Sequence, residues 1–175
     1  MATTIRDVRD SDMGMLLTIN NAAVHNVNAL EMAALEHLRS QASYCRVAIN
    51  DGNLAGFLIA LQPDADYNSQ NFVWFRQQFE EFVYIDRVVV AKPHRGLGIG
   101  RVFYADIQSH AEQVAPMLTC EVNLEPRNDV SLLFHGTSGF NEVGQRMSED
   151  GEKRVSLLAK ELPSYAFVRD QYAAL

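Results

Sequence analysis

Glycine occupies alternate positions in "VVVAKPHRGLGIGR", residues 88–101, where Gly96, Gly98 and Gly100 follow Arg95. A loop that brings backbone N–H groups close to a ligand needs positions without Cβ, since a side chain would hold the ligand off or forbid the required φ/ψ. Behind the glycines, Val102, Phe103, Ile107, Ala111 and Val114 recur at three- and four-residue spacing, which predicts a helix with one buried face. Glycines at a helix N-terminus make an anion site, because free N–H groups meet the positive end of the macrodipole and phosphate is the usual occupant. Two phosphate loops are excluded by the letters. No glycine pair is followed by Lys-Ser or Lys-Thr, as a P-loop requires. The dinucleotide fingerprint would need glycine where Arg101 or Phe103 stands.

The arrangement Arg-Gly-x-Gly-x-Gly after a valine-rich strand resembles the acetyl-CoA pyrophosphate loop of the GNAT superfamily of N-acetyltransferases. A second stretch, "NDVSLLFHGTSGF" at 128–140, is similar to that superfamily's other signature: an Asn, a small residue three further on, an aromatic-containing pair, then Gly-Phe opening a strand. Pro93 lies one residue later after Val90 than is usual, while the Val90-to-Arg95 spacing is kept. The resemblance implies that Arg95 opens the loop and that the N–H groups of Gly96, Leu97, Gly98, Ile99, Gly100 and Arg101 hold the CoA pyrophosphate. The backbone of Val88, Val89 and Val90 would receive the pantetheine arm, Asn128 would bond it and Ser131 would line its channel. The plain reading of the same residues is strand core for the valines and helix capping for Asn128 or Asp129.

The implied reaction is acetyl transfer from acetyl-CoA, as co-substrate and without a metal, to a primary amine of a small molecule, peptide or protein. The amine attacks the thioester directly, so it must be neutral. For an ε-amine at pH 7 that costs roughly 4.6 kcal/mol, against roughly 1 kcal/mol for an α-amine. Asp86, a carboxylate in the otherwise apolar "VYIDRVVV", is the favoured base, with Arg87 expected on the opposite face of the strand. Glu121 is the second choice. His135 stands where the superfamily commonly has the tyrosine that protonates the departing thiolate, and a surface histidine is the alternative. The acceptor pocket is expected to draw on Trp74 and Tyr84, within an aromatic stretch that includes Tyr67, Phe72, Phe75 and Phe79. The tyrosine-to-histidine departure keeps a second reading open, an acyl-CoA-binding sensor or inactive relative.

These residues must be positioned by ordinary elements. "TIRDV" reads as a strand, and "SDMGMLLTINNAAV" as a helix capped by Ser11 or Asp12. "NALEMAALEHLRSQ" reads as a second helix with Asn28 and Glu31 at capping-box spacing. "YCRVAI" and "LAGFLIALQ" form a hairpin across Asp51-Gly52, and 63–81 is a long connection holding a short helix. A fourth strand over 82–91, a fifth over 117–125, a helix over 129–138 and a hairpin turning at Asp150-Gly151 complete the pattern. Residues 163–175 read as a docked tail.

The fold class that follows is α/β: a GNAT-like mixed, mostly antiparallel sheet with helices on both faces and a split between strands 4 and 5. One domain over 1–175 is expected from 47% hydrophobic and 21% charged content. No apolar run reaches the ~20 residues of a membrane span and the N-terminus is too polar for a signal peptide, so a cytoplasmic protein without a membrane partner is expected. The net charge of −7 argues against nucleic-acid partners and mildly favours cationic ones. A homodimer is compatible with the sequence. Cys45 and Cys120 make no metal-ligand spacing and are expected as buried thiols.

Overall fold

The computed structural model describes residues 3–24 and 26–172. Seven strands and six α-helices alternate along the described chain, which divides into two compact units. The first comprises residues 1–67 and 85–110, the second residues 68–84 and 111–175.

In the first unit, β1 (Thr3–Asp7), β2 (Tyr44–Asn50) and β3 (Asn53–Leu61) form antiparallel ladders, with Ile5 opposite Ala48 and Val47 opposite Phe57. The β2–β3 turn is the expected one. Asp51 at φ 49° and Gly52 at φ 80° supply the two positive-φ positions that a tight hairpin of matching twist demands. From Ala55 to Leu61 every residue of β3 is buried, so this strand is covered on both faces and loses the alternation of a half-exposed strand. Beside it runs β4 (Val83–Val90). Gly56 lies tight against β4, since a Cβ there would stand 2.4 Å from the Val89 carbonyl oxygen. The helices α1 (Met13–Asn21) and α2 (Met32–Gln41) bury Leu16, Leu35 and Leu38, and α4 (Ile99–Ala111) buries Phe103 and Ile107 at i, i+4 spacing.

The second unit contains α3 (Gln70–Gln78), the first two residues of β4, β5 (Met117–Glu125), α5 (Asp129–Thr137), β6 (Asn141–Met147), β7 (Arg154–Glu161) and α6 (Ser164–Tyr172). Pairing runs β4-β5-β7-β6. The β4–β5 ladder is parallel, registering Val83 with Leu118 and Tyr84 with Thr119, and the other two are antiparallel, with Cys120 opposite Leu158. Phe72 and Phe75 of α3 pack with Phe82 and Tyr84 at centroid separations of 5.3–6.1 Å. The result is the expected mixed, mostly antiparallel sheet in an α/β chain.

Four local expectations change. Asp12 stands at the N-cap position of α1 but its side chain makes no cap bond; its carboxylate accepts from the Arg9 N–H at 2.8 Å and from both Arg6 Nη atoms. Asn28 does not cap α2, which starts at Met32 after an extended Glu31, because Asn20 already holds the Asn28 carbonyl and Asn21 the Leu30 N–H and carbonyl. The tail forms a helix as far as Tyr172, and residues 173–175 lie outside the described residues. Cys120 is buried but Cys45 is only half-buried.

Candidate active site

The glycine loop folds as its sequence requires. Gly96 and Gly98 take φ of +79° and +80°, a region L side chains rarely adopt, and α4 begins one residue later. The first helix N–H groups have no partner within a helix; here the earliest bond joins Val102 N to Gly98 O at 3.2 Å. Open space surrounds both glycines, with no atom within 4 Å of where a Cβ would stand. Ile99 is buried and anchors the turn, whereas Leu97 and Arg101 are exposed. Arg95 is exposed and folds back, its Nε donating to the Val90 carbonyl at 3.1 Å. That bond joins the end of Val88–Val90 to the start of the loop. Val89 is buried and its neighbours are half-buried.

Asp86 belongs to the same unit and its carboxylate is engaged on both oxygens. Oδ1 accepts from the Tyr67 hydroxyl at 2.5 Å and Oδ2 from Arg87 Nε at 2.6 Å. The side chains are 4% and 6% exposed. The expectation that Arg87 points away from Asp86 is therefore corrected. Strand alternation directs only the first bonds of a side chain, and the long arginine stem returns its guanidinium to the neighbouring carboxylate. Arg87 Nη1 also donates to Asn20 Oδ1 at 2.9 Å. The carboxylate raises the Arg87 pKa against the opposing effect of burial.

In the second unit, the Tyr84 hydroxyl donates to Glu121 Oε1 at 2.8 Å. Tyr84 is fully buried among the aromatic residues, and Glu121 is half-buried on β5. Asn128 caps α5 through its Oδ1, which accepts from the Ser131 N–H at 3.2 Å. His135 is buried at 4% exposure and packs edge-on against Phe140 at 5.2 Å. Its Nδ1 lies 2.7 Å from the Ser131 carbonyl oxygen, which only accepts, so Nδ1 carries the proton of the neutral ring. Desolvation lowers its pKa, with the Ser131 carbonyl pulling the other way. Trp74 packs its ring on Gly144 of β6, where a Cβ would come within 2.8 Å of Cζ2.

The site residues expected from sequence thus fall into two groups. Asp86, Val88–Val90 and Arg95–Arg101 are in the first unit, and Trp74, Tyr84, Asn128, Ser131 and His135 in the second. Three residues not singled out as site residues hold the polar contacts: Tyr67, Arg87 and Asn20. A signal for them existed, since "YIDRVVV" and the Asn-Asn pair ending α1 place polar groups where an apolar pattern surrounds them.

The sequence model of the Acetyltransferase (GNAT) family matches residues 15–140. No curated protein matches the chain. Among solved structures, Ard1 from Thermoplasma volcanium superposes with TM-score 0.74 at 17% identity, covering 93% of this chain and 99% of that one. The ribosomal-protein-S18-alanine N-acetyltransferase from Escherichia coli gives 0.69 at 16% identity, covering 91% and 94%. Arabidopsis thaliana NAA60, solved in complex with a bisubstrate analogue, gives 0.72 at 14% identity, covering 93% and 99%. At these identities the likeness is one of fold.

Proposed function

This chain belongs to the GNAT acetyltransferase family, and on that premise we propose that it transfers an acetyl group from acetyl-CoA to a primary amine of a small molecule, peptide or protein. The observation that carries the reading is the pair of left-handed glycines opening α4 with clear space before them. A pyrophosphate there would accept from the loop N–H groups and lie at the positive end of a helix of 13 residues. The exposed Arg95 adds a fork of donors suited to phosphate oxygens.

The amine must lose a proton, and Glu121 is the better base. Asp86 already receives a guanidinium and a phenol in a buried setting, so taking a proton would leave Arg87 as an uncompensated buried charge. Glu121 is half-buried and is oriented by the Tyr84 hydroxyl, which gives Tyr84 a role through the base as well as in the core. The geometry is less suited to His135 as the thiolate acid. Its neutral form holds its proton on the Ser131 carbonyl, and burial opposes the cation that would have a second proton to give. A thiol has an ordinary pKa near 8.5, so a thiolate leaving near neutral pH recovers a proton from water at modest cost. Asn128 and Ser131 keep a proposed place along the pantetheine arm, with the Asn128 carbonyl oxygen committed to its cap. Trp74 holds α3 on β6 and would shape the acceptor side only through that helix.

Two measurements test the reading. Calorimetry with CoA should show binding, and thiol release from acetyl-CoA should become amine-dependent with a panel of α- and ε-amines. Binding without amine-dependent release across the panel would favour an acyl-CoA sensor. No binding would refute both.

A further inference from the structure

Buried polar groups in folded chains are hydrogen-bonded almost without exception, because an unpaired one gives up its water and receives nothing in return. Thr119 departs from that rule. It lies on β5 with 0% of its surface exposed, and its Oγ1 is buried without a hydrogen-bond partner. Valine has nearly the same shape and no hydroxyl, so packing alone would favour valine here. The surroundings are largely apolar. Thr119 is registered with Tyr84 on β4 and with Ala159 on β7, and Phe72 and Phe75 of α3 stand 5.3 and 5.8 Å from the Tyr84 ring. Glu121 shares this face of β5, since it stands two residues on and alternation directs both side chains to the same side. Tyr84 starts opposite Thr119 and delivers its hydroxyl to Glu121 Oε1 at 2.8 Å, so the three side chains run along one face. Positions two apart on a strand are separated by about 6.6 Å, a spacing that suits two hydrogen bonds through one water. A buried water needs at least two polar partners, and the hydroxyl and the carboxylate supply them.

We infer that Thr119 is a positioning residue for Glu121: its hydroxyl holds one water molecule against the Glu121 carboxylate and so, together with Tyr84, orients the base. This rests on the acetyltransferase reading, in which Glu121 takes the proton of the amine. A carboxylate held from two directions keeps a single rotamer before the amine arrives, which is the supporting shell that a reacting group on a strand requires. A threonine in a core position suited to valine is then a local rule broken for the sake of the site.

The test uses the full-length chain in two matched pairs, wild type with Thr119→Val and Thr119→Ser with Thr119→Ala, so that each pair differs at the hydroxyl. Thr119→Val is also made on a Glu121→Gln background. Thiol release from acetyl-CoA is followed with three amine probes, an alanine-initiated peptide, free lysine and a linear polyamine. Thr119→Val should lower kcat at least tenfold while the KM for acetyl-CoA stays within twofold, and Thr119→Ser should keep most of the wild-type kcat. On the Glu121→Gln background the same substitution should change kcat less than twofold, because its effect passes through the carboxylate. The Thr119→Ser and Thr119→Ala pair carries the same contrast should valine prevent folding. A Thr119→Val enzyme with kcat within twofold of wild type would overturn the inference. So would an equal loss with and without the Glu121 carboxylate, which would mark a role in packing alone. Wild-type kcat in Glu121→Gln would remove the base and this inference with it while leaving acetyl transfer in place. Absence of wild-type turnover with all three probes would count against the acetyltransferase reading itself.

Discussion

Replacing Gly98 with valine separates the two things a left-handed glycine does at the start of α4. In the free protein nothing lies within 4 Å of the new Cβ, so the cost of the substitution is conformational. A β-branched residue at φ +80° is a true outlier, and about 2 kcal/mol is expected, which lowers the Tm of a chain this size by about 4–8 °C. Gly52 has the same φ of +80° and equally open surroundings, in a hairpin outside the loop, so Gly52→Val provides the matched control. CoA distinguishes them. The valine at 98 holds the pyrophosphate away from the N–H groups and should weaken CoA binding at least tenfold, about 1.4 kcal/mol, while Gly52→Val leaves it unchanged. The same difference appears in thermal shifts. CoA at a hundredfold its wild-type Kd stabilises the protein by about 2.7 kcal/mol, and a tenfold loss of affinity reduces that to about 1.4 kcal/mol. Calorimetry and melting curves on the three proteins suffice. Equal CoA affinity in Gly98→Val and wild type, with the fold intact, would refute the assignment of the loop.

Glu121→Gln should lower kcat by roughly 10²-fold with acetyl-CoA affinity preserved, whereas an unchanged kcat would return the base to Asp86 or to water. His135→Phe should keep kcat within a few-fold and lose about 1 kcal/mol of stability through the bond to the Ser131 carbonyl; a 10²-fold fall in kcat with a displaced alkaline limb would reinstate the imidazole as acid. The same variant has a pH signature. The folded-state pKa of His135 is depressed, so the unfolded chain binds more protons just below about pH 6.5. That contribution is complete above the unfolded pKa and is lost as pH falls toward the folded one, and His135→Phe should flatten this acid slope in urea melts. Gly144→Ala forces the Trp74 ring to shift and should cost about 1–3 kcal/mol, a cost that Gly144→Ala on a Trp74→Ala background largely relieves; equal losses on both backgrounds would show that the ring is not the obstacle.

The order of elements was legible because each carries a local signal: the Asp51-Gly52 turn, the i, i+4 stripe of α4, and the glycines whose positive φ the letters announce. Asn128 could likewise be read as a cap. Where sequence reasoning faltered, a neighbouring side chain had won a contest that periodicity and spacing do not score. Asn28 and Glu31 have capping-box spacing, yet Asn20 and Asn21 take up the backbone at 28–30 and delay the helix to Met32. Alternation along β4 describes where Arg87 starts and not where its guanidinium ends. His135 is buried against Phe140, which stands in the link between α5 and β6. Such closures belong to the folded chain: the partners lie within one short window of sequence, and spacing alone does not say which contact forms.

The two cysteines give the molecule a pair of internal clocks. Cys45 lies on β2 of the first unit, half-buried, with its pKa pushed up to about 11 by burial. Cys120 lies mid-strand on β5 of the second, its thiol raised well above the usual range by burial and then by the charge of Glu121. Only a thiolate reacts with an alkylating reagent, so Cys120 is labelled when β5 parts from Leu158 and water reaches the sulfur. Mass spectrometry of timed alkylation therefore reports opening of each unit at its own residue, in the unaltered protein, with no introduced label.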